Sequence, residues 1–248
     1  MRVFNSIARE WDCSHRVPRG FLPLVLPRVR GVVLDAGCGN GCNEPALAGR
    51  ARLVVGLDSS SELLQLAGVN CRELVAAGRV QFVAGDFRKL ELVAWPAQFD
   101  SPNHRTPMNR TEPANHALKG AGSVGFLESG EGVFDCVLCL GAFHHLRSEA
   151  GRRAALRGFR RALKPGGRLC IVVWNRLQEK FSAKGRDAFV PWRGGVRRYY
   201  HFFTPGELAG LVKRAGFARV ETLFEKAGAP SAGVGAHNLV LFAVKPRG

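Results

Sequence analysis

Residues 32–41 read Val-Val-Leu-Asp-Ala-Gly-Cys-Gly-Asn-Gly, and this stretch constrains the chain more than any other. A short apolar run ends in Asp35, and glycines follow at 37, 39 and 41. The pattern predicts a buried strand with a tight turn after it. Three glycines there remove the side chains that would keep a ligand off the backbone. The N–H groups left open are then expected to meet a polar, nucleotide-like ligand.

Two more apolar runs end in the same way. Leu53-Val-Val-Gly-Leu-Asp58 places an acid 19 residues after Gly39, and Val80-Gln-Phe-Val-Ala-Gly-Asp86 places another. About 20 residues is the spacing at which an acid meets ribose hydroxyls in nucleoside-binding α/β folds. As adjacent parallel strands, the three runs would set Asp35, Asp58 and Asp86 on one carboxyl rim, where such sheets bind ligands.

Strands and helices then alternate. Residues 60–77 open with serines and carry apolar positions 63, 66, 67, 74 and 75, which suits a helix packed on the sheet. Residues 134–140 form a fourth strand, followed by Gly141-Ala-Phe-His144-His145-Leu146. An arginine-rich helix is expected over 148–163, with Ala154, Ala155, Phe159 and Leu163 inward, and Lys164-Pro-Gly-Gly167 stops it. Residues 168–174 supply a fifth strand. Thr204-Pro-Gly-Glu-Leu carries a cap, a first-turn proline and a glutamate three residues after the threonine, which marks a helix start. Residues 219–224 and 238–244 are the last two strands, too close for a normal helix between them, so a hairpin is expected. The alternation predicts a doubly wound α/β sheet in one domain spanning 1–248. Residues 1–30 read as a short helix and a loop. Residues 101–132 are rich in Pro, Asn and Gly without a period and read as a disordered insertion.

The charge balance points to a polyanion. There are 36 Lys/Arg against 20 Asp/Glu, a formal net charge of +16. Residues 151–200 alone hold 14 Lys/Arg and two acids, Glu179 and Asp187. Arg152, Arg153, Arg157, Arg160 and Arg161 fit the solvated face of the expected helix. Arg186, Arg193, Arg197 and Arg198 lie in a loop with glycines and aromatics, a pattern suited to nucleic acid. Seven cysteines, an odd number, with no secretory signal ahead of them, suggest reduced thiols in the cytoplasm or nucleus. Cys136 and Cys139 have C-x-x-C spacing, but within a strand they face opposite sides, so no metal site is expected. No apolar run reaches the roughly 18 residues of a membrane span.

The glycines are spaced G-x-G-x-G, and together with Asp58 and Gly85-Asp86-Phe87 they resemble class I S-adenosylmethionine (SAM) methyltransferases. The resemblance implies a seven-stranded, mostly parallel sheet with one reversed strand. It implies cofactor contacts at Asp35, Gly37, Gly39, Gly41, Asp58, Asp86, Phe87 and Leu140, with the glycines against the methionine part, Asp58 on the ribose and Asp86 facing the adenine amine. Trp174-Asn175, Val190-Pro-Trp192-Arg193 and Arg198-Tyr199-Tyr200-His201-Phe-Phe203 further resemble the tRNA wobble-uridine carboxymethyl methyltransferases. That likeness runs from Ile7 to Val244 outside the insertion. At the amino-terminal side, His15-Arg-Val-Pro-Arg19 stands where the family tends to have Arg and Pro-Trp. It implies O-methylation of a carboxylate on the tRNA anticodon and a small zinc-binding activator protein as partner. Arg193 or Arg198 would hold the carboxylate or a phosphate, and Tyr199, Tyr200 and His201 would stack on bases. A carboxylate is already ionised at neutral pH, so His144 and His145 are not assigned as a base. Two other readings stay open: a small-molecule methyltransferase acting on a quinone or lipid precursor, and a non-catalytic RNA-binding protein on the same fold.

Overall fold

The computed structural model describes residues 2–92, 132–181, 185–192, 195–233 and 235–248. All of the 101–132 insertion except Gly132 therefore lies outside the described residues, as does Arg193.

The acid-ending runs are β1 (Val32–Ala36), β2 (Leu53–Asp58) and β3 (Val80–Ala84), all parallel. They continue through β4 (Phe134–Leu140) and β5 (Leu163–Trp174). A separate antiparallel ribbon follows, β6 (Asp187–Pro191) and β7 (Arg197–His201). The main sheet closes with β8 (Ala218–Lys226), β9 (Ala229–Ser231) and β10 (Asn238–Val244). Its order is β3-β2-β1-β4-β5-β10-β8-β9, eight strands rather than the seven expected. The additional strand is the three-residue β9, which pairs only with the end of β8. The reversed strand is β10, antiparallel to both β5 and β8. Arg198-Tyr199-Tyr200-His201, expected in a loop, is strand β7 instead. Its alternating burial is the signature that a loop assignment overlooks.

Both faces of the sheet are buried, which is why its central strands read as unbroken apolar runs. One core takes Val32, Leu34, Val137 and Cys139 against Leu156 and Phe159 of α7 (Glu149–Ala162) and Leu208 and Val212 of α8 (Pro205–Arg214). The opposite core takes Val33, Cys136, Leu138 and Cys170 against α3 (Leu22–Val25) and α4 (Glu44–Ala48). Cys136 and Cys139 thus face opposite sides, and all seven cysteines are free thiols. Thr204 caps α8 by accepting from the Glu207 N–H at 3.3 Å, worth about 1 kcal/mol. The helix expected over 60–77 is two, α5 (Ser61–Asn70) and α6 (Arg72–Ala76). The break falls where the side chains of Asn70 and Cys71 bond to the Asn40 and Gly41 carbonyls.

Arg152 departs from the solvated face on which it was expected. It is buried, donates to the Leu146 carbonyl and the Tyr199 hydroxyl, and lies under the Phe203 ring. It fastens the ribbon to α7. Residues 1–30 hold three short helices, α1 (Arg2–Ser6), α2 (Ala8–Ser14) and α3, rather than one. Among the described residues no helix is long and apolar enough to cross a membrane.

Candidate active site

The glycine turn follows β1. Gly37, Gly39 and Gly41 have φ of 91°, 61° and 77°, a region open to glycine. A Cβ at residue 37 would lie 2.4 Å from the Ala142 Cβ, so the turn is as close to the loop after β4 as backbone allows. Contrary to expectation, the turn's N–H groups are already engaged. Gly37 and Cys38 donate to the Leu57 carbonyl at 2.7 and 3.2 Å, Gly41 donates to Cys38, and Gly39 donates to the Asp58 carboxylate at 2.9 Å. The glycines therefore make room for a ligand more than they donate to it.

Acids surround this turn. Asp58 also accepts from the Ser60 N–H at 2.9 Å, which leaves other lone pairs for hydroxyl donors. Asp35 and Glu44 are buried; neither oxygen of Asp35 has a hydrogen-bond partner, and only the backbone N–H groups of Asn43 and Glu44 approach the Glu44 carboxylate. Burial, with Asp58 adding repulsion, pushes the Asp35 carboxyl up to about 7. Burial and then Asp35 drive Glu44 well above the usual carboxylate range. Buried acids so poorly paired are costly, and a bound cation such as the ammonium or sulfonium of SAM would relieve them. The residues present thus fit that cofactor. Asp86 is engaged differently: burial alone would raise its pKa, but hydrogen bonds from the Arg88 guanidinium and N–H hold it below the ordinary value. Phe87 packs on Phe159 and lies 3.5 Å from where a Gly37 Cβ would sit. Leu140, at the end of β4, is buried in the core beneath the cleft.

Helix α2 covers the turn. Asp12, buried, accepts from the side chains of Asn40 at 2.9 Å, Asn70 at 2.7 Å and Arg16 at 3.1 Å. These bonds overcome the effect of burial and lower its pKa. Its neighbour Trp11 brings its indole Nε1 to 3.7 Å from a Cβ position at Gly39. This cover was missed from the sequence. The available signal was the helical spacing of Trp11 with His15 and of Asp12 with Arg16.

Beside the acids lies a side-chain cluster of opposite character, in which Trp11 is shared with the cover of the turn. Trp11 and His15 stack at 4.0 Å, and Trp192 packs at 5.6 Å from Trp11. The Arg198 guanidinium lies 4.2 Å from the Trp192 ring centroid, 5.1 Å from Trp11 and 5.3 Å from Tyr200, and Arg19 approaches Trp11 at 5.5 Å. Arg198 is 4% exposed, and no carboxylate pairs with it among the described residues. Its Nε and the Trp192 Nε1 are both buried without a partner. Burial, then the nearby Arg19, lowers the Arg198 pKa, yet a guanidinium stays charged at neutral pH.

His144 stacks on Tyr200 at 4.9 Å, and its Nδ1 accepts from the Trp174 N–H at 3.4 Å. His145 donates from Nδ1 to the Tyr199 carbonyl at 2.8 Å. Burial keeps both rings neutral, His145 with its pKa lowered to about 4 and His144 well below the ordinary value. Tyr200 is buried, stacked on Trp174 at 4.3 Å. His201 is also buried, with Nδ1 on Asp187 and Nε2 on Glu207, both at 2.8 Å. Neither ring has a face free for a base. Tyr199 bonds through its hydroxyl to Asp187, Arg152 and the Arg147 carbonyl and stays half-exposed. Of the five acceptor-side residues expected from the sequence, the structure brings Arg198 and Tyr200 into this cluster, sets Tyr199 and His201 in the ribbon's support, and does not describe Arg193.

Residues 9–222 match the family model of the methyltransferase domain. The chain belongs to this family. It is a class I methyltransferase that uses SAM. A protein of Encephalitozoon cuniculi named only as a candidate methyltransferase is 29% identical over 232 residues, 87% of this chain and 85% of that protein. The tRNA (carboxymethyluridine(34)-5-O)-methyltransferase of Schizosaccharomyces pombe is 30% identical over 122 residues, 38% of this chain and 53% of that enzyme. The ubiquinone/menaquinone biosynthesis C-methyltransferase of Pseudomonas putida is 28% identical over 199 residues, 75% of this chain and 62% of that enzyme. Among solved structures, the DhpI–SAM–HEP complex has a TM-score of 0.61 at 20% identity, covering 98% of this chain and 94% of that one.

Proposed function

We propose that this methyltransferase esterifies the carboxylate of 5-carboxymethyluridine at the wobble position of tRNA. The observation that carries the reading is Arg198, a buried cation boxed by aromatic rings and without an acidic partner. An unpaired buried charge is destabilising unless a ligand completes it, and a guanidinium pairs best with a carboxylate or a phosphate. The +16 charge of the chain and its concentration in 151–200 support an RNA acceptor. So does the likeness to the fission-yeast enzyme.

The bound cofactor supplies an electrophilic methyl group on a sulfonium. Asp58 would take the ribose hydroxyls, Asp86 and Phe87 the adenine side, and Asp35 and Glu44 the cationic end. Arg198 would orient the acceptor carboxylate, while Trp11 and Trp192 exclude water around it. No proton has to leave a carboxylate already ionised near pH 4. The low basicity of His144 and His145 accords with this. It weighs against the small-molecule alternative, because C-methylation of a quinone precursor calls for a base. The intact glycine and acid set weighs against a non-catalytic RNA binder. A small zinc-binding activator subunit and residence in the cytoplasm or nucleus belong to the same proposal. Nucleoside mass spectrometry of tRNA from a strain lacking this chain tests it. The methyl ester should vanish and the free acid accumulate. An unchanged level of the ester would contradict the proposal.

A further inference from the structure

Strand alternation gives the β6–β7 ribbon two faces. Ala188 and Val190 of β6 pack inward with Phe181, Tyr200 and Phe202. Arg198 and Tyr200 of β7 point to the same side, towards the cluster that holds Trp11 and Trp192. The other face carries Phe189 and, directly opposite it in register, Tyr199, with Arg197 beside them. Phe189 is 43% exposed although it belongs to a strand whose apolar inner face is fully used. Its ring meets Tyr199 edge-on at 5.8 Å. Guanidinium groups flank the pair: Arg147 at 5.3 Å from the Phe189 ring and 5.8 Å from Tyr199, and Arg197 at 6.0 Å from Phe189. The ribbon's one described acid, Asp187, is consumed by Tyr199, His201 and Arg152. The outer face therefore presents an exposed Phe189 ring and a half-exposed Tyr199 ring between arginines that have no carboxylate partner among the described residues.

We propose that this outer face is a stacking platform for a single-stranded RNA base next to the nucleotide being modified. Rings interleaved with guanidiniums suit a base on the ring and phosphates on the cations. Two rings are too small an apolar patch to hold a membrane, and the flanking charge is positive on both sides. The inference rests on the tRNA reading above, in which Arg198 holds the acceptor. Arg198 and Tyr199 are consecutive and face opposite ways. A nucleotide inserted on the inner side thus leaves its neighbour at the ribbon's rim, over Phe189.

The test is fluorescence anisotropy of a labelled anticodon stem-loop RNA with the full chain in saturating SAM. Phe189→Ala should weaken RNA binding about 5- to 100-fold, the range of one lost base stack, and Phe189→Trp should retain it. Arg147→Ser and Arg197→Ser should each lower the salt slope of binding by about one. SAM affinity by calorimetry should match wild type in all four variants. Wild-type RNA affinity in Phe189→Ala would overturn the platform and leave the tRNA reading standing. Failure of the wild-type chain, with and without an activator subunit, to bind the RNA would sink that reading itself. Binding to phosphatidylserine vesicles that Phe189→Ala abolishes, with RNA binding unaffected, would also overturn the platform, in favour of a lipid surface.

Discussion

The acid-bearing turn behind β1 and the arginine–aromatic cluster beside it are opposites in chemistry and in construction. The first holds Asp35, Glu44, Asp58 and Asp86, at or just after the ends of the first three strands and at the start of α4. The second holds Arg19, Arg198 and aromatic rings drawn from the amino-terminal helices, the segment after β4 and the β6–β7 ribbon. An acid wall suits a cationic methyl donor, and a cationic box suits an anionic acceptor. Placing each unsatisfied charge on the side of its own ligand keeps the two ligands from exchanging places.

The largest expected effect is on the acid side. Asp58→Ala removes the acceptor for the Gly39 and Ser60 N–H groups, both at 2.9 Å. It also removes the acceptor proposed for the two ribose hydroxyls, and at about 1.5–3 kcal/mol for each bond to a charged group, calorimetry should show SAM binding weakened by about 100-fold or more, with RNA affinity unchanged. Equal loss of both would break the division between the two regions.

Arg198→Met probes the opposite side. Turnover of the tRNA acceptor should fall about 100-fold in kcat/KM, the scale of one lost charge-assisted pair, with SAM affinity intact. The melting temperature should rise by a few degrees, because an unpaired buried charge is replaced by an apolar chain of similar length. A lower melting temperature would show that Arg198 is structural. Gly37→Ala should destabilise the fold by about 2–4 kcal/mol through a strained φ and the clash with Ala142, read by urea unfolding.

A further contrast lies in the pH dependence of stability, where the two regions pull in opposite directions. His15 and His145 are held at about 4 in the fold, chiefly by burial, against about 6.5 unfolded. Their contribution is complete above pH 6.5 and is lost as pH falls towards 4. Asp35, raised to about 7, contributes fully below its unfolded value near 4 and loses that contribution as pH rises through 7. Asp35→Asn should therefore steepen the rise in melting temperature between pH 4 and 7. An unchanged slope would mean that the acid is not buried as described.

The same contrast explains what was legible in the sequence. The turn is local: a strand, a glycine turn and an acid at fixed spacing appear as motifs, so the strand-end positions of Asp35, Asp58 and Asp86 were readable from period and spacing, while the cofactor contacts given to them came from the family resemblance. The pocket is assembled from residues 11, 15, 19, 144, 192, 198 and 200. Nothing in the sequence brings Trp11 against Trp192. Arg198 and His201 look alike as polar residues of one basic stretch. Only the alternation of β7 and the carboxylates of Asp187 and Glu207 make the first a candidate ligand group and the second a brace. Arg152 was misplaced for a related reason: helix periodicity identifies a buried face, but not the hydroxyl and carbonyl that make burial of a guanidinium tolerable.

The most direct test of paired opposite sites uses two anticodon stem-loops that differ in one group, the wobble carboxymethyl acid and its neutral amide. With labelled SAM and the chain supplied with any activating subunit, label should pass to the acid as a base-labile ester and not to the amide. Equal labelling of both, or of neither, would contradict an acceptor pocket built around a carboxylate.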